Sequence, residues 1–434
     1  MSCSNTEKEI HVSAAGSDET GNGSENKPYA TPGFAATKVS PGTTVIVHEG
    51  TYGQFEIDTE ASGTEAFPVA FTAAPGEKVL IQSIPGEEAV AGESIGIYIV
   101  NADNITIKGF EITGGTHGIY YESRQSRGDK PLENILIEDC TVHGIRGTHG
   151  ICVYARNDYA PVKNITMRGC HVYDCECDSS ESTVFNGNID GFLIENNLIH
   201  DNNNIGIDMI GFEGNAKHSN PKYENPYDVD FVRNGECKNN VVYNISAEGN
   251  AAYMTEDGDY DLCADGIYVD GGQDIKIHDN FVFNCDIGFE VATEHSPDDN
   301  ELFKVSGIEV YDNIAAGCMG WCGLCFGGYD ADLGFTENCS FHNNTFVDNA
   351  VTIGVQRSRG NKIYDNIFVG EGEEIEYNSD VREEDMVNEF SGNESGKTKE
   401  GLLDGFSSLV TGKGSSFVPP EDIIRLWEEN RVSS

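Results

Sequence analysis

Basic residues are scarce in this chain. Lys and Arg number 27 against 73 Asp and Glu, a formal net charge of −46 spread along 434 residues. A field of that sign repels polyphosphate, so a nucleic-acid partner is excluded, and an anionic polysaccharide is disfavoured unless a local basic pocket overrides the field. A neutral ligand suits the charge. No apolar run approaches the ~18 residues that cross a bilayer, so no membrane span is expected. Residues Met1 to Ile10 hold neither the basic nor the apolar stretch of a secretory leader, which reads as a cytoplasmic protein. Cys3-Ser4 leaves a lipoprotein remnant open, and with it an extracellular or cell-surface location, if the sequence is trimmed. The 13 cysteines match no zinc signature: Cys175-x-Cys177 and Cys322-x2-Cys325 stand alone. They read as buried reduced thiols, with no metal expected and a reducing compartment weakly favoured.

What the sequence does have is repetition. The rhythm of Asn104-Ile-Thr-Ile-Lys-Gly-Phe-Glu-Ile-Thr-Gly-Gly115 returns at Asn134, Asn164, Gly191, Asn234, Asp274, Gly307, Asn338 and Gly360. Each copy alternates apolar and polar residues at period two in both halves, the mark of two short strands joined by a turn. At one fixed place stand Cys140 and Cys170, then Asn197, Asn240, Asn280, Asn313, Asn344 and Asn366. In coils stacked about 4.8 Å apart these form a structural Asn ladder. A third strand follows, marked by Gly and an apolar pair, as in Gly118-Ile-Tyr-Tyr, Gly206-Ile-Asp-Met and Gly266-Ile-Tyr-Val. The expected fold is all-β: a single-stranded right-handed parallel β-helix of three-strand coils. Residues 1–95 read as N-terminal cap and first coils, with a short amphipathic stretch from Gly33 to Val39. Residues 96–370 read as the solenoid that carries the active face. Residues 371–434 read as a C-terminal segment in which Glu371 to Glu400 is polar loop and Pro420 to Glu429 a closing helix. The whole is one domain, and a monomer is expected.

In the Gly-Ile-Z-Val pattern the apolar residues face the core, so Z points outward. The outward column reads Tyr120, Cys152, Asp208, Tyr268, Glu290, Cys325 and Gln356, with Glu122, Tyr154, Asp270 and Ser358 two residues further along. Three consecutive coils thereby crowd Asp208, Asp270 and Glu290. Crowded carboxylates raise one another's proton affinity, which keeps one protonated as a general acid beside an ionised partner, as glycoside hydrolysis requires. Asp201 occupies the turn place held by Asn244 and Asn284 in later coils, and reads either as a turn residue or as a second carboxylate for Asp208. Phe212, Tyr268, Trp321 and Tyr329 are candidates to stack on sugar rings, and Glu213, Glu294, His295 and Asp330 to bind substrate.

The repeats with their Asn ladder, the Pro41-Gly-Thr-Thr-Val-Ile-Val-His-Glu-Gly-Thr-Tyr52 cap, and Ala264-Asp-Gly-Ile-Tyr-Val-Asp-Gly-Gly272 followed by Asp286-Ile-Gly-Phe-Glu-Val-Ala-Thr-Glu294 resemble the pectate-lyase-like β-helix superfamily. Within it, the Asp201 to Asp208 segment resembles the β-helical glycoside hydrolases of the lacto-N-biosidase type. That resemblance implies a retaining reaction without a metal, with Asp201 as acid/base and Asp208 as nucleophile, on a neutral or amino-sugar-containing oligosaccharide.

Two other readings stay open. A polysaccharide lyase acting on a uronate polymer needs a base, here Tyr268 or His295, and calcium to neutralise the acid group, for which Asp265, Asp270, Asp274 and Glu290 are available. A non-catalytic carbohydrate-binding solenoid needs only an aromatic groove.

Overall fold

Alternation at period two gives strands with one buried face, and the turn residues between them let the chain fold back on the coil below. In the coil that opens at Asn104, strands Ile105–Lys108, Glu111–Thr113 and His117–Ser123 follow one another. Each pairs in parallel with its equivalent one coil on: Ile105 with Ile135, Glu111 with Thr141, Ile119 with Ile151. Repetition of that step builds three parallel sheets of 15, 12 and 11 strands, here sheets 1, 2 and 3 in the order the chain visits them. The chain is a right-handed parallel β-helix. The structure, a computed structural model, describes residues 8–83, 93–217, 224–295, 302–330, 332–396 and 413–430; Cys3 and Ser4 lie outside them.

The Asn ladder is present at the turn from sheet 1 to sheet 2. Asn240 Nδ2 donates to Asn280 Oδ1 (3.0 Å) and to the Ile194 carbonyl (3.0 Å), while its backbone N–H also donates to Asn280 Oδ1 (2.9 Å). The same set of bonds repeats at Asn280, Asn313 and Asn344. It runs on to Asn393, which accepts from Asn366. The rungs from Asn240 to Asn366 are buried, so these bonds replace the water that the turn amides would otherwise need.

The two ends are built differently. At the N-terminus, Thr31 Oγ1 caps the short helix Pro32–Ala36, which lays Ala35 and Ala36 on the first core layer. At the C-terminus, the Glu-rich stretch expected as loop forms strands Glu373–Tyr377, Met386–Ser391 and Glu394–Gly396, one more coil of the solenoid. Only Ile375, Met386 and Phe390 there turn towards the core, so acidic residues fill the solvent face and mask the repeat. Helix Glu421–Asn430 does not close the stack. It lies on the outer face of sheet 2, where Trp427 is buried against Phe281, Phe283 and Ile314.

Candidate active site

The crowded acids lie on sheet 3. Its strands bend at the repeated glycine: a Cβ on Gly118 would lie 2.3 Å from Val142 Cγ1, and one on Gly150 2.6 Å from Val172 Cγ1, so these glycines face the interior. Alternation is therefore broken at each glycine, and the residue before it turns outward again. The outer face thus bears three columns. One runs Tyr120, Cys152, Val184, Asp208, Tyr268, Glu290, Cys325, Gly354. A second holds Glu122, Tyr154, Asn186 and Ile210, with Asp270 and Ala292 beyond. The third, before the glycines, pairs His117 with His149 and Asp265 with Ile287. Gly354 rather than Gln356 completes the first column, and Ser358 opens a strand of sheet 1, because that coil's third strand ends at Val355.

Loops cover this face, and the acids on it are buried: Asp208 and Asp265 are 2% exposed and Asp270 5%. Asp208 lies among the charges of Glu181, Asp270, Glu294 and Glu213. Burial first, and those neighbours second, hold its carboxyl well above the usual range, and its Oδ1 has no hydrogen-bond partner among the described residues. Glu181 is pushed up to about 8 by burial and then by Glu213. Across Tyr268, Glu290 is pushed up to about 8 by burial and by Glu294, against hydrogen bonds with Cys325 and Asp265. Asp265 is likewise raised by burial and then by Glu290, so the two carboxyls titrate as a pair. Glu294, exposed at the rim, is raised by burial and by Asp270, and its backbone N–H donates to Asp270 Oδ1 at 3.1 Å. The cation in this group is His295, whose Nε2 lies 3.5 Å from Asp270 Oδ2. Burial opposes its protonation, but Asp270, Glu213 and Glu294 prevail and raise its proton affinity.

Sequence reasoning brought together Asp208, Tyr268, Asp270 and Glu290, and the structure places these side by side with Glu213, Glu294 and His295. Asp201 is elsewhere. It sits at φ 53° on the sheet 2 side, its carboxylate 2.6 Å from His200 Nδ1 and accepting from Asn244 Nδ2 at 2.9 Å. It is a turn residue in line with Asn244 and Asn284, and the structure does not bring it to Asp208. Phe212 is buried between Phe231 and Phe303, and Trp321 packs on Ile287, Cys322, Cys325 and Val351; both are committed to packing. Tyr329 and Asp330 are exposed. Glu181 was missed because its coil carries Ser182 where others carry glycine, which also hid Val184. The outward orientation of Asp265 was missed because the parity break at glycine is not visible in a strict alternation. Asp230 was missed as well. It is buried and accepts from the Gly214 and Ala216 amides at 2.6 Å each, which fixes the loop that presents Glu213. At the other end of the face, Arg124 and Arg156 both pair with Glu122 (2.8 and 3.1 Å), and Arg156 reaches Asn215 Oδ1 at 2.6 Å, beside Glu213.

Residues 10–210 match the model of the Pel9A-like right-handed β-helix region. The uncharacterized protein YwoF of Bacillus subtilis is 34% identical over 357 residues, which are 78% of this chain and 68% of that protein. Among solved structures, GH136 lacto-N-biosidase from Eubacterium ramulus shares 14% identity over 90% of this chain and 68% of its own, with a TM-score of 0.62. A rhamnogalacturonan lyase shares 15% over 91% and 90%, TM-score 0.54. Pectate lyase Pel9A shares 15% over 97% and 89%, TM-score 0.52. At these identities the structural likenesses carry the fold.

Proposed function

The chain belongs to the family of the uncharacterized Bacillus subtilis protein YwoF, within the right-handed parallel β-helix superfamily, and from that premise we propose that it is a glycoside hydrolase. Its substrate class is a neutral or amino-sugar-containing oligosaccharide, and the reaction retains anomeric configuration, as in the lacto-N-biosidase type. The observation that carries this reading is the buried Asp208, with an oxygen left unpartnered, among acids whose protons are held up to about 8. An acid that keeps its proton at neutral pH donates it to a leaving oxygen, and an ionised partner meets the developing positive charge at the anomeric carbon. Asp208 is the nucleophile in this scheme once its proton has passed to a neighbouring carboxylate of the group. The Asp265–Glu290 pair and Glu181, all raised by burial, are the sources of the acid. Asp270, held by His295 and the Glu294 amide, lies one coil on and two residues along from Asp208, about 8 Å at the backbone.

The test is release of sugar from a panel of nitrophenyl glycosides and milk or mucin oligosaccharides by the parent and by Asp208→Asn, with the anomer of the first product followed by proton NMR. Release by the parent, lost in a folded Asp208→Asn, supports the assignment, and an inverted product removes the retaining mechanism. No release from any substrate turns the reading to a uronate lyase in which the same carboxylates hold calcium. That enzyme gives a product that absorbs in the ultraviolet and is stopped by chelators. Binding without cleavage of either class of sugar would leave the non-catalytic solenoid.

A further inference from the structure

On the same face, upstream of the acids, stands a second group made of different chemistry. His117 and His149 are register partners in adjacent strands of sheet 3, and Cys152 lies three residues beyond His149 in the neighbouring column. All three are buried, at 3%, 3% and 0% exposure. One ring nitrogen of each histidine and the Cys152 Sγ lie within 4.8 Å of one another, the one such cluster of three His, Cys, Asp or Glu ligands among the described residues.

The hydrogen bonds around the rings fix the lone pair of His149 and set His117 between two hydroxyls. His149 Nδ1 is 2.8 Å from the Glu181 carbonyl, which only accepts, so Nδ1 carries the proton and Nε2 the lone pair. That Nε2 faces Tyr154 Oη at 3.0 Å. At His117, Thr116 Oγ1 donates to the Ser94 carbonyl and accepts from the Ser94 amide, so towards His117 Nδ1, at 2.9 Å, it accepts. Thr148 Oγ1, which donates to the Thr116 carbonyl, lies 3.2 Å from Nδ1 and 2.9 Å from Nε2, so an ion bound at Nε2 displaces that hydroxyl. Cys152 Sγ makes no hydrogen bond among the described residues. An imidazole whose far nitrogen is tied to a backbone carbonyl is the arrangement that orients metal-binding histidines. Two imidazoles, a thiol and a phenol 3.0 Å from one of the nitrogens make a four-donor N2SO set. About 3.3 Å is the ligand-to-ligand spacing of a tetrahedron with bonds of about 2.0 Å.

We propose that His117, His149, Cys152 and Tyr154 form a binding site for one borderline-soft divalent metal ion, zinc being the type. Binding joins the ion to two neutral imidazole nitrogens and the Cys152 thiolate, and the thiol's proton leaves to solvent, so one proton is released per ion if Tyr154 stays a phenol. His149 links this site to the other through the Glu181 carbonyl, so a bound ion fastens the backbone that carries Glu181 to the neighbouring coil. The role is structural, since all four donor positions are taken. It is independent of the reaction proposed for the acids.

The full chain is stripped with a chelator, loaded with Zn2+ or Co2+, desalted and analysed. The expected result is one zinc per chain, a zinc-edge X-ray absorption shell of one sulfur and three lighter atoms, and a thiolate-to-cobalt charge-transfer band. Cys152→Ser should keep the circular dichroism of the parent, lose that band and weaken zinc at least about tenfold. A parent that retains no stoichiometric zinc would overturn the proposal. So would a shell of oxygen alone, which places the ion among the carboxylates, or of two sulfurs, which places it at Cys322 and Cys325. The absorption shell is read on the parent alone, so it decides the matter even if the serine variant does not fold.

Discussion

Replacement of Glu290 by Gln separates the proton from the charge. Glu290 lies between Tyr268 and Cys325 on sheet 3, shares a hydrogen bond with Asp265, and is pushed from an ordinary 4.5 up to about 8 by burial and by Glu294. A group whose proton affinity rises on folding gives stability that is complete below its unfolded value and is lost as pH climbs through the folded value. The window here is from about 4.5 to about 8. A shift of that size corresponds to at most about 5 kcal/mol, at 1.36 kcal/mol per unit. Asp265 titrates with it as a pair, so about half, some 2 kcal/mol, is assigned to Glu290. Gln keeps the shape and a donor for Asp265 but has no charge to bury, so at pH 5 it should melt with the parent. At pH 9 the parent has lost that term and the variant has not. For 434 residues the unfolding entropy is about 0.9 kcal/mol per degree, so Glu290→Gln should melt about 2 °C above the parent at pH 9. Calorimetry at the two pH values reads this directly. Equal shifts at pH 5 and pH 9, or a variant that loses ground as pH rises, would refute the claim that Glu290 holds its proton in the folded chain.

The same electrostatics predict that Asp208→Asn folds and is no less stable than the parent at neutral pH, while sugar release falls at least about a thousandfold; circular dichroism and product assay on one preparation check both. Hydrolysis should decline as pH rises past about 8, where Glu181 and Glu290 give up their protons, and a rate that is flat to pH 10 would remove both as the acid. Asp201→Asn should leave activity within about twofold, since its carboxylate serves a surface turn that Asn also accommodates. Asn280→Ala should cost about 2–4 kcal/mol in denaturant unfolding, because Asn240 loses both bonds to the Asn280 side-chain oxygen in a fully buried turn.

Legibility in the sequence followed the physics of each feature. The coils were visible because core packing imposes the same alternation nine times, and the Asn ladder because one buried turn needs one side chain that both donates and accepts. The last coil was hidden because it has a solvent face: Ile375, Met386 and Phe390 are the core residues left to mark it among glutamates. The helix Glu421–Asn430 was legible as a helix and misread as a lid, since an amphipathic stripe reports that a face is buried and not which surface buries it.

The site shows where one-dimensional periodicity runs out. Asp201 and Asp208 are seven residues apart, and a spacing says nothing of the corner between them: the chain turns from sheet 2 to sheet 3 after Asn202, so the two carboxylates end on different outer faces. Glu181 and Asp265 failed to appear for the converse reason. Each precedes the residue that faces inward at the bend, so strict alternation assigns it to the core, although the bend turns it outward into the column of His117 and His149. An ionisable residue at a position that alternation assigns to the core is itself the signal, because a bare charge there would not be tolerated. Applied to each third strand, that rule selects His117, His149, Glu181 and Asp265, together with Glu373 on the exposed last strand. Glu181 and Asp265 belong to the candidate acid site and His117 and His149 to the proposed metal site, so the corner column contributes as much to the proposed chemistry as the column that alternation reveals.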